Sequence, residues 1–145
     1  MSFLVDTNVL LRSAQPSHPM HADAARAIVE LLARGETLSI IPQNVIEYWA
    51  VATRPVEANG LGLSVADTVN DLTRLKGIFQ ILPDTPAIFT EWEALVGRHA
   101  VKGKEAHDAR IVAAMLAHRV SNLLTFNTGD FKRYTEINSI DPRDV

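Results

Sequence analysis

Short apolar runs alternate with longer stretches of helical spacing from one end of the chain to the other. This alternation is typical of β–α units, in which parallel strands form a sheet and the connecting helices cover it. No repeat or linker-like composition interrupts the pattern, and 145 residues are the usual size of one domain. We therefore expect a single α/β domain over residues 1–145, with a mostly parallel central sheet.

Five segments have the apolar character of buried strands, and the last of them is the weakest. They are residues 2–5, 37–41, 78–82, 122–125 and 137–140. Five helices are predicted between them from helical periodicity, N-capping residues, prolines and glycines. They span about residues 20–34, 42–53, 64–76, 85–99 and 105–118, with Gly35 and Gly77 at the ends of the first and third. Residues 56–63 are predicted to form a loop.

The composition excludes several classes of protein. There is no cysteine, which excludes disulfides, thiolate metal sites and cysteine nucleophiles, and the five histidines show no zinc-like pairing. No apolar stretch approaches the roughly 18 residues of a membrane span, and no export signal is visible, so we expect a cytoplasmic protein without membrane contact. The 14 basic and 17 acidic residues give a formal charge of −3, which argues against a broad nucleic-acid-coating surface.

Asp6 directly follows the apolar run Phe3-Leu4-Val5. A carboxylate in that place enters the crevice where open α/β sheets bind ligands, at the carboxyl end of a parallel strand. Acids also occur there as caps of the next helix, so Asp6 alone is weak evidence for a site.

Glu47 is the one charged residue in the apolar segment 45–52. A helix that is apolar on every other side is predicted to be buried, and a buried carboxylate requires a partner or a function. A salt bridge to Arg26 or Arg54 and a functional role explain Glu47 equally well.

Asp108 lies on the same helical stripe as the apolar residues Ile111 and Val112, where the helix macrodipole alone does not explain an acid. Thr125, Asn127 and Asp130 follow the fourth predicted strand, as turn formers or as further site residues.

In a parallel sheet, the turn after the fourth strand, Asp6 and the helix segments bearing Glu47 and Asp108 share one edge. Carboxylates gathered there repel one another unless some are protonated or a cation lies between them. An all-oxygen ligand set favours Mg²⁺ or Mn²⁺.

In these motifs the chain resembles PIN-domain proteins, and in size and layout it is most similar to the VapC-type toxins of bacterial toxin–antitoxin pairs. The motifs that carry the resemblance are residues 5–10, 44–47, 107–109 and 124–131. The resemblance implies a PIN-like three-layer α/β/α sandwich and a Mg²⁺-dependent ribonuclease site.

Residue by residue, the resemblance places Asp6, Glu47 and Asp108 at the family's three constant acids. The fourth position, often Asp, holds Asn127, with Asp130 three residues later; some family members carry this asparagine variant. We predict that Asp6 and Asp108 bind Mg²⁺ directly, with Mn²⁺ as a substitute. Glu47 and Asp130 are predicted to complete the ligand set through water or to hold a second ion.

Asn127 and Thr125 are predicted to orient water or phosphate during hydrolysis of an RNA phosphodiester, which by resemblance leaves 5′-phosphate and 3′-hydroxyl ends. RNA approaching an acidic site also requires cations at the rim. The candidates are Arg12, Lys102, Lys104, Arg110, Lys132 and Arg133. Each is also explained by an ordinary surface charge or by contact with an acidic partner segment.

Resemblance to the toxins implies two protein partners, a small cognate antitoxin whose tail enters the acidic groove and a second copy in a homodimer. Apolar residues between Pro42 and Leu63 are candidates for either contact, and core packing explains them as readily.

Two alternatives remain at the level of sequence. A phosphohydrolase of another α/β class also places an acid after its first strand, but the haloacid-dehalogenase type requires a second acid where Asn8 stands. A non-catalytic RNA- or partner-binding module is favoured by Asn127 and disfavoured by the three intact acids.

Overall fold

A five-stranded sheet, parallel throughout, runs through the centre of the molecule. The computed structural model describes all 145 residues. The strand order is β3-β2-β1-β4-β5. The strands are β1 (Ser2–Val5), β2 (Thr37–Ile40), β3 (Gln80–Ile81), β4 (Asn122–Leu124) and β5 (Asn138–Ile140). The predicted parallel sheet is confirmed, including its weak last strand.

Six α-helices connect the strands and cover both faces of the sheet. They are α1 (Thr7–Ser13), α2 (His21–Ala33), α3 (Pro42–Thr53), α4 (Val65–Ile78), α5 (Pro86–Arg98) and α6 (Glu105–Ala117). Short 3₁₀ turns span Val56–Ala58, Thr128–Phe131 and Pro142–Asp144. None of the helices combines the length and the apolar character needed to cross a lipid bilayer.

The two faces of the sheet carry separate hydrophobic cores. Phe3 and Val5 of β1 pack with α1 to α4, whereas Leu4 between them packs with α5 and α6. Successive side chains of a strand point to opposite faces, so this division shows helices on both sides of a doubly buried strand. The three-layer α/β/α sandwich implied by the resemblance is confirmed.

Helix boundaries differ from prediction in two places. The sequence reading omitted α1, which begins immediately after Asp6 because the Asp6 carboxylate caps it by accepting a hydrogen bond from the Thr7 amide. Gly77 was expected to end the third predicted helix, but this helix, α4, continues through it to Ile78, and Phe79 begins the next segment. β3 is consequently two residues long rather than the predicted five.

The prediction that α3 is buried on all sides is wrong. Only Asn44, Tyr48 and Ala52 of this helix are buried, and the Ile46 side chain is 68% exposed. One face of α3 covers the sheet and the opposite face meets solvent, because no further layer lies outside it. Glu47 therefore lies at the edge of the helix's buried face.

The order of the strands determines where a ligand site can form. The chain adds β2 and β3 on one side of β1 and then returns to add β4 and β5 on the other side. Such a reversal leaves a crevice at the carboxyl ends of the two central strands. In this molecule β1 ends at Val5 and β4 ends at Leu124, so Asp6 and Thr125 enter that crevice.

Candidate active site

A polar cleft opens at the carboxyl edge of the sheet. Its larger part has a volume of about 630 Å³, and none of its lining residues is hydrophobic. A second part of about 360 Å³ reaches inward to Asp6, Thr7 and Asn8. Glu47 and Asp108 line both parts, so the two volumes form one site.

Asp6 is the buried acid of this site, with 8% of the residue exposed. Its Oδ1 accepts a hydrogen bond from the Thr7 amide at 2.8 Å, and its Oδ2 accepts one from the Thr125 hydroxyl at 2.9 Å. Burial raises the pKa of Asp6 to about 6, although the hydrogen bonds from Thr125 and Thr7 act in the opposite direction. Nearby Glu47 and Asp108 raise it further through repulsion.

Thr125 is fully buried and its hydroxyl is completely engaged. It donates to Asp6 and accepts from the Asn8 side-chain amide at 3.2 Å and from the Asn127 backbone amide at 3.0 Å. In the structure Thr125 therefore contacts the Asp6 carboxylate, and its hydroxyl has no capacity left for water or phosphate.

Glu47 forms no ion pair. Its Oε1 accepts a hydrogen bond from the Thr7 hydroxyl at 2.9 Å. Arg26 instead contacts Asp23, Glu30 and the carbonyl oxygens of the C-terminal segment, and Arg54 pairs with no acid. The salt bridge that competed with a functional role for Glu47 is thus contradicted.

Asp108 is the least compensated of the acids. Its carboxylate accepts no hydrogen bond and pairs with no cation, although the residue is half-buried in the first turn of α6. Burial and then repulsion from Asp130, Glu47 and Glu105 raise its pKa to about 6. Only His107 acts in the opposite direction, and no Lys or Arg forms an ion pair with this carboxylate.

The two candidates for the fourth position lie in different parts of the cleft. Asp130 is exposed, lines the larger part and is close enough to Asp108 to raise its pKa. Asn127 lines the inner part beside Asp6, and its backbone amide supports Thr125. The structure therefore brings five of the six predicted site residues to one cleft, and the sixth, Thr125, is buried behind it in contact with Asp6.

The donor set suits a hard divalent cation in its chemistry. The four acids Asp6, Glu47, Asp108 and Asp130 offer only carboxylate oxygens, and none is paired with Lys or Arg. Their present positions do not form a closed cage, because no three Asp, Glu or His side chains lie close enough together to hold one ion.

Positive charge surrounds the cleft only in part. Lys104 and Arg133 line its larger part, and Arg133 pairs with Glu105 at 2.8 Å. Arg110 contacts Asp84 and Gln43 on the flank. Of the predicted rim cations, Lys102, Lys104 and Lys132 form no ion pair, whereas Arg12 donates a hydrogen bond to Gln15.

Sequence reasoning assigned no role to Thr7 and Asn8, which contact the acids, or to Asn44, which contacts Thr7. Asn8 donates to Asp6 and Thr125 and accepts from the Phe126 amide at 3.2 Å. The second acid required by the haloacid-dehalogenase alternative is therefore replaced by a side chain that supports the first. The signal for these residues was their proximity in sequence to Asp6 and Glu47.

Comparison with known proteins supports the same fold. Solved structures similar to this chain include VapBC-1 from nontypeable Haemophilus influenzae, with a TM-score of 0.71 at 16% identity over 98% of both chains. A toxin–antitoxin complex from Klebsiella pneumoniae has a TM-score of 0.67 at 22% identity over 98% of both chains. Mycobacterium tuberculosis VapC20, described as a sarcin-ricin loop cleaving toxin, has a TM-score of 0.68 at 17% identity over 94% of this chain and 98% of its own.

No curated protein matches the sequence significantly. The family model described as PIN domain, however, matches residues 3–137, which include all the acids of the cleft. The chain therefore belongs to the PIN-domain family.

Proposed function

We propose that the protein is a Mg²⁺-dependent endoribonuclease and the toxin of a toxin–antitoxin pair. One observation carries the proposal: four carboxylates without a cationic partner gather at the crevice where the strand order reverses. Membership of the PIN-domain family and likeness to the fold of described toxins support it.

The electrostatics of the site favour a divalent cation. Asp6 and Asp108 each have a pKa of about 6 because burial and neighbouring acids disfavour their ionised forms. A cation between these groups would remove that penalty and lower both pKa values. When bound, Mg²⁺ would acidify a water molecule and neutralise charge that develops on the phosphoryl oxygens.

Within this scheme the protein's own residues bind and orient. Asp6 and Asp108 hold the ion directly, because burial and neighbouring carboxylates disfavour the ionised form of both and a cation would relieve this. Glu47 and Asp130 both line the larger cleft and complete the ligand set, directly or through water. Asn127 faces the inner cleft, where its side-chain amide is suited to donate to a phosphate oxygen.

The proposal is tested with purified protein, single-stranded RNA and defined metals. We expect cleavage with Mg²⁺ or Mn²⁺, none with EDTA, and recovery when Mn²⁺ is added in excess of the chelator. The products should carry 5′-phosphate and 3′-hydroxyl ends, which end-specific ligation distinguishes. Metal-independent cleavage, or the absence of cleavage with every divalent ion, would rule out the proposed activity.

Lys104 is expected to contribute to binding of the RNA backbone. It lines the larger cleft and forms no ion pair, so its charge is available to a phosphate. Lys104→Ala should raise KM for RNA by about 3- to 10-fold with little change in kcat, and should reduce the salt dependence of binding by about one phosphate contact. Lys76→Ala, in the last turn of α4, is the matched control; an equal effect in both variants would contradict a specific role for Lys104.

Two protein partners belong to the same proposal. The toxin–antitoxin neighbours suggest a cognate antitoxin, and the homodimer is inferred from the family resemblance. Ile46 and Phe89 are 68% and 63% exposed. Each lines a separate surface pocket, and Arg110 lines both pockets. Light scattering of the purified chain tests self-association, and co-expression with the neighbouring reading frame tests for the antitoxin.

A further inference from the structure

Thr7 contacts two of the site's acids at once. Its backbone amide donates to Asp6 Oδ1 at 2.8 Å, and its hydroxyl donates to Glu47 Oε1 at 2.9 Å. The residue is only 8% exposed, so water does not readily compete for either bond. A single residue therefore joins the carboxylate that follows β1 to the carboxylate on α3.

The direction of the Thr7 hydroxyl is determined by its neighbours. The Ile41 backbone amide donates to Asn44 Oδ1 at 2.9 Å, which identifies the side-chain oxygen because an amide nitrogen cannot accept this bond. Asn44 Nδ2 consequently faces the Thr7 hydroxyl at 3.1 Å and donates to it. The single hydroxyl proton of Thr7 is then available only to Glu47.

This chain of hydrogen bonds is built into the fold. Asn44 is fully buried, and its bond to Ile41 caps the N-terminus of α3, one turn before Glu47. The same helix geometry that begins α3 therefore orients the hydroxyl that contacts Glu47. Thr7 uses one lone pair of Glu47 Oε1, so Oε2, which accepts no hydrogen bond, is the oxygen with the most capacity left for a ligand in the cleft.

We propose that Thr7, oriented by Asn44, is a positioning residue that fixes the spacing of the Asp6 and Glu47 carboxylates and leaves Glu47 Oε2 free to bind a divalent cation. The inference rests on the proposed metal-dependent function and adds to it the residues that hold the acids in place. Neither Thr7 nor Asn44 would be a ligand of the cation.

The first test compares Thr7→Val, which keeps the shape and removes the hydroxyl, with Thr7→Ser, which keeps the hydroxyl. Mn²⁺ affinity of the full chain is measured by calorimetry, without RNA. We expect Thr7→Val to weaken Mn²⁺ binding by about 10- to 100-fold, the usual cost of losing a residue that supports a metal ligand. Thr7→Ser should retain affinity near that of the wild type.

Thr68→Val is the matched control for lost stability. Thr68 is a fully buried threonine whose hydroxyl donates to the Ser64 carbonyl at 2.8 Å, on α4 and outside the cleft. Thr68→Val should lower the free energy of unfolding without changing Mn²⁺ affinity. If Thr68→Val weakens Mn²⁺ binding as much as Thr7→Val does, the effect of Thr7 is structural and the inference is overturned.

Asn44→Asp tests the direction of the hydrogen bonds that run from Asn44 through Thr7 to Glu47. The new carboxylate would still accept from the Ile41 amide, but its other oxygen would accept from Thr7 and turn that proton away from Glu47. We expect a loss of Mn²⁺ affinity similar to that of Thr7→Val. Wild-type affinity in Thr7→Val overturns the inference while leaving the nuclease in place. A wild-type protein that neither binds Mn²⁺ nor cleaves RNA removes the proposed function and this inference with it.

Discussion

Asp108→Asn is expected to lower RNA cleavage by roughly 100- to 1000-fold, a loss typical of removing one preorganised electrostatic group from an active site. The same substitution should make the metal-free protein more stable at neutral pH. Both effects have one cause, because Asp108 is a half-buried carboxylate that accepts no hydrogen bond and forms no ion pair. Asparagine keeps the shape of the side chain and removes the charge.

The gain in stability should depend on pH. The pKa of Asp108 in the folded protein is about 6, above its ordinary value of 3.8, so the folded state disfavours the ionised form. The contribution of Asp108 to the free energy of unfolding is therefore most favourable below about pH 4 and is lost as pH rises through 6. The full shift corresponds to roughly 3 kcal/mol, and partial exposure together with the favourable position at a helix N-terminus reduces the expected gain to about 1 kcal/mol at pH 7.5.

Urea unfolding in EDTA at pH 7.5 and pH 4 measures this effect. Asp67→Asn, at an exposed position in the first turn of α4, is the matched control. It should leave cleavage unchanged and should change the free energy of unfolding much less than Asp108→Asn does. Added Mg²⁺ should stabilise the wild type but not Asp108→Asn. Equal cleavage by Asp108→Asn and wild type would contradict the assignment of Asp108 as a metal ligand.

Asp6→Asn separates charge from hydrogen bonding. Asp6→Asn should lower cleavage to a similar extent as Asp108→Asn, but it should not stabilise the protein. Both Asp6 oxygens accept hydrogen bonds, from the Thr7 amide and from Thr125, so an amide group in either orientation brings its NH₂ against another donor. A stability gain equal to that of Asp108→Asn would show that this network is weaker than the distances indicate.

Thr125→Val is expected to cause the second large effect. The substitution removes the donor to Asp6 and leaves the Asn8 side chain and the Asn127 amide without their acceptor. Unpaired, partly buried polar groups of this kind destabilise a protein by about 1 to 3 kcal/mol in total. Cleavage should fall by roughly 10- to 100-fold, as for loss of a residue that supports a metal ligand.

The pH profile distinguishes positioning from general destabilisation in Thr125→Val. Burial raises the pKa of Asp6 to about 6 and the Thr125 hydrogen bond lowers it, so removal of the hydroxyl should raise this pKa further. The acidic limb of the pH–activity profile should therefore move to higher pH, with partial recovery of cleavage near pH 8. Thr125→Ser keeps the hydroxyl and should retain the wild-type profile; an unshifted profile in Thr125→Val would show that its loss of activity is purely structural.

Some parts of the site followed from local pattern. Asp6 comes directly after a buried strand, and Asp108 lies on the apolar stripe of α6, so short-range geometry predicted both to reach the sheet edge. Glu47 was assigned to the site on the wrong assumption that its helix is buried on every side. Local periodicity predicted a fully buried α3, whereas the number of layers outside that helix leaves Ile46 exposed.

The sequence by itself determined the parallel α/β architecture and the acids of the cleft, because both depend on the spacing of neighbouring residues along the chain. Only the tertiary structure decided which polar groups hold those acids. The bond from Thr7 to Glu47 spans 40 positions and the bond from Thr125 to Asp6 spans 119. A hydrogen bond requires atoms within about 3 Å and a suitable angle, and distances that short between remote residues are fixed only when the sheet and its helices have packed.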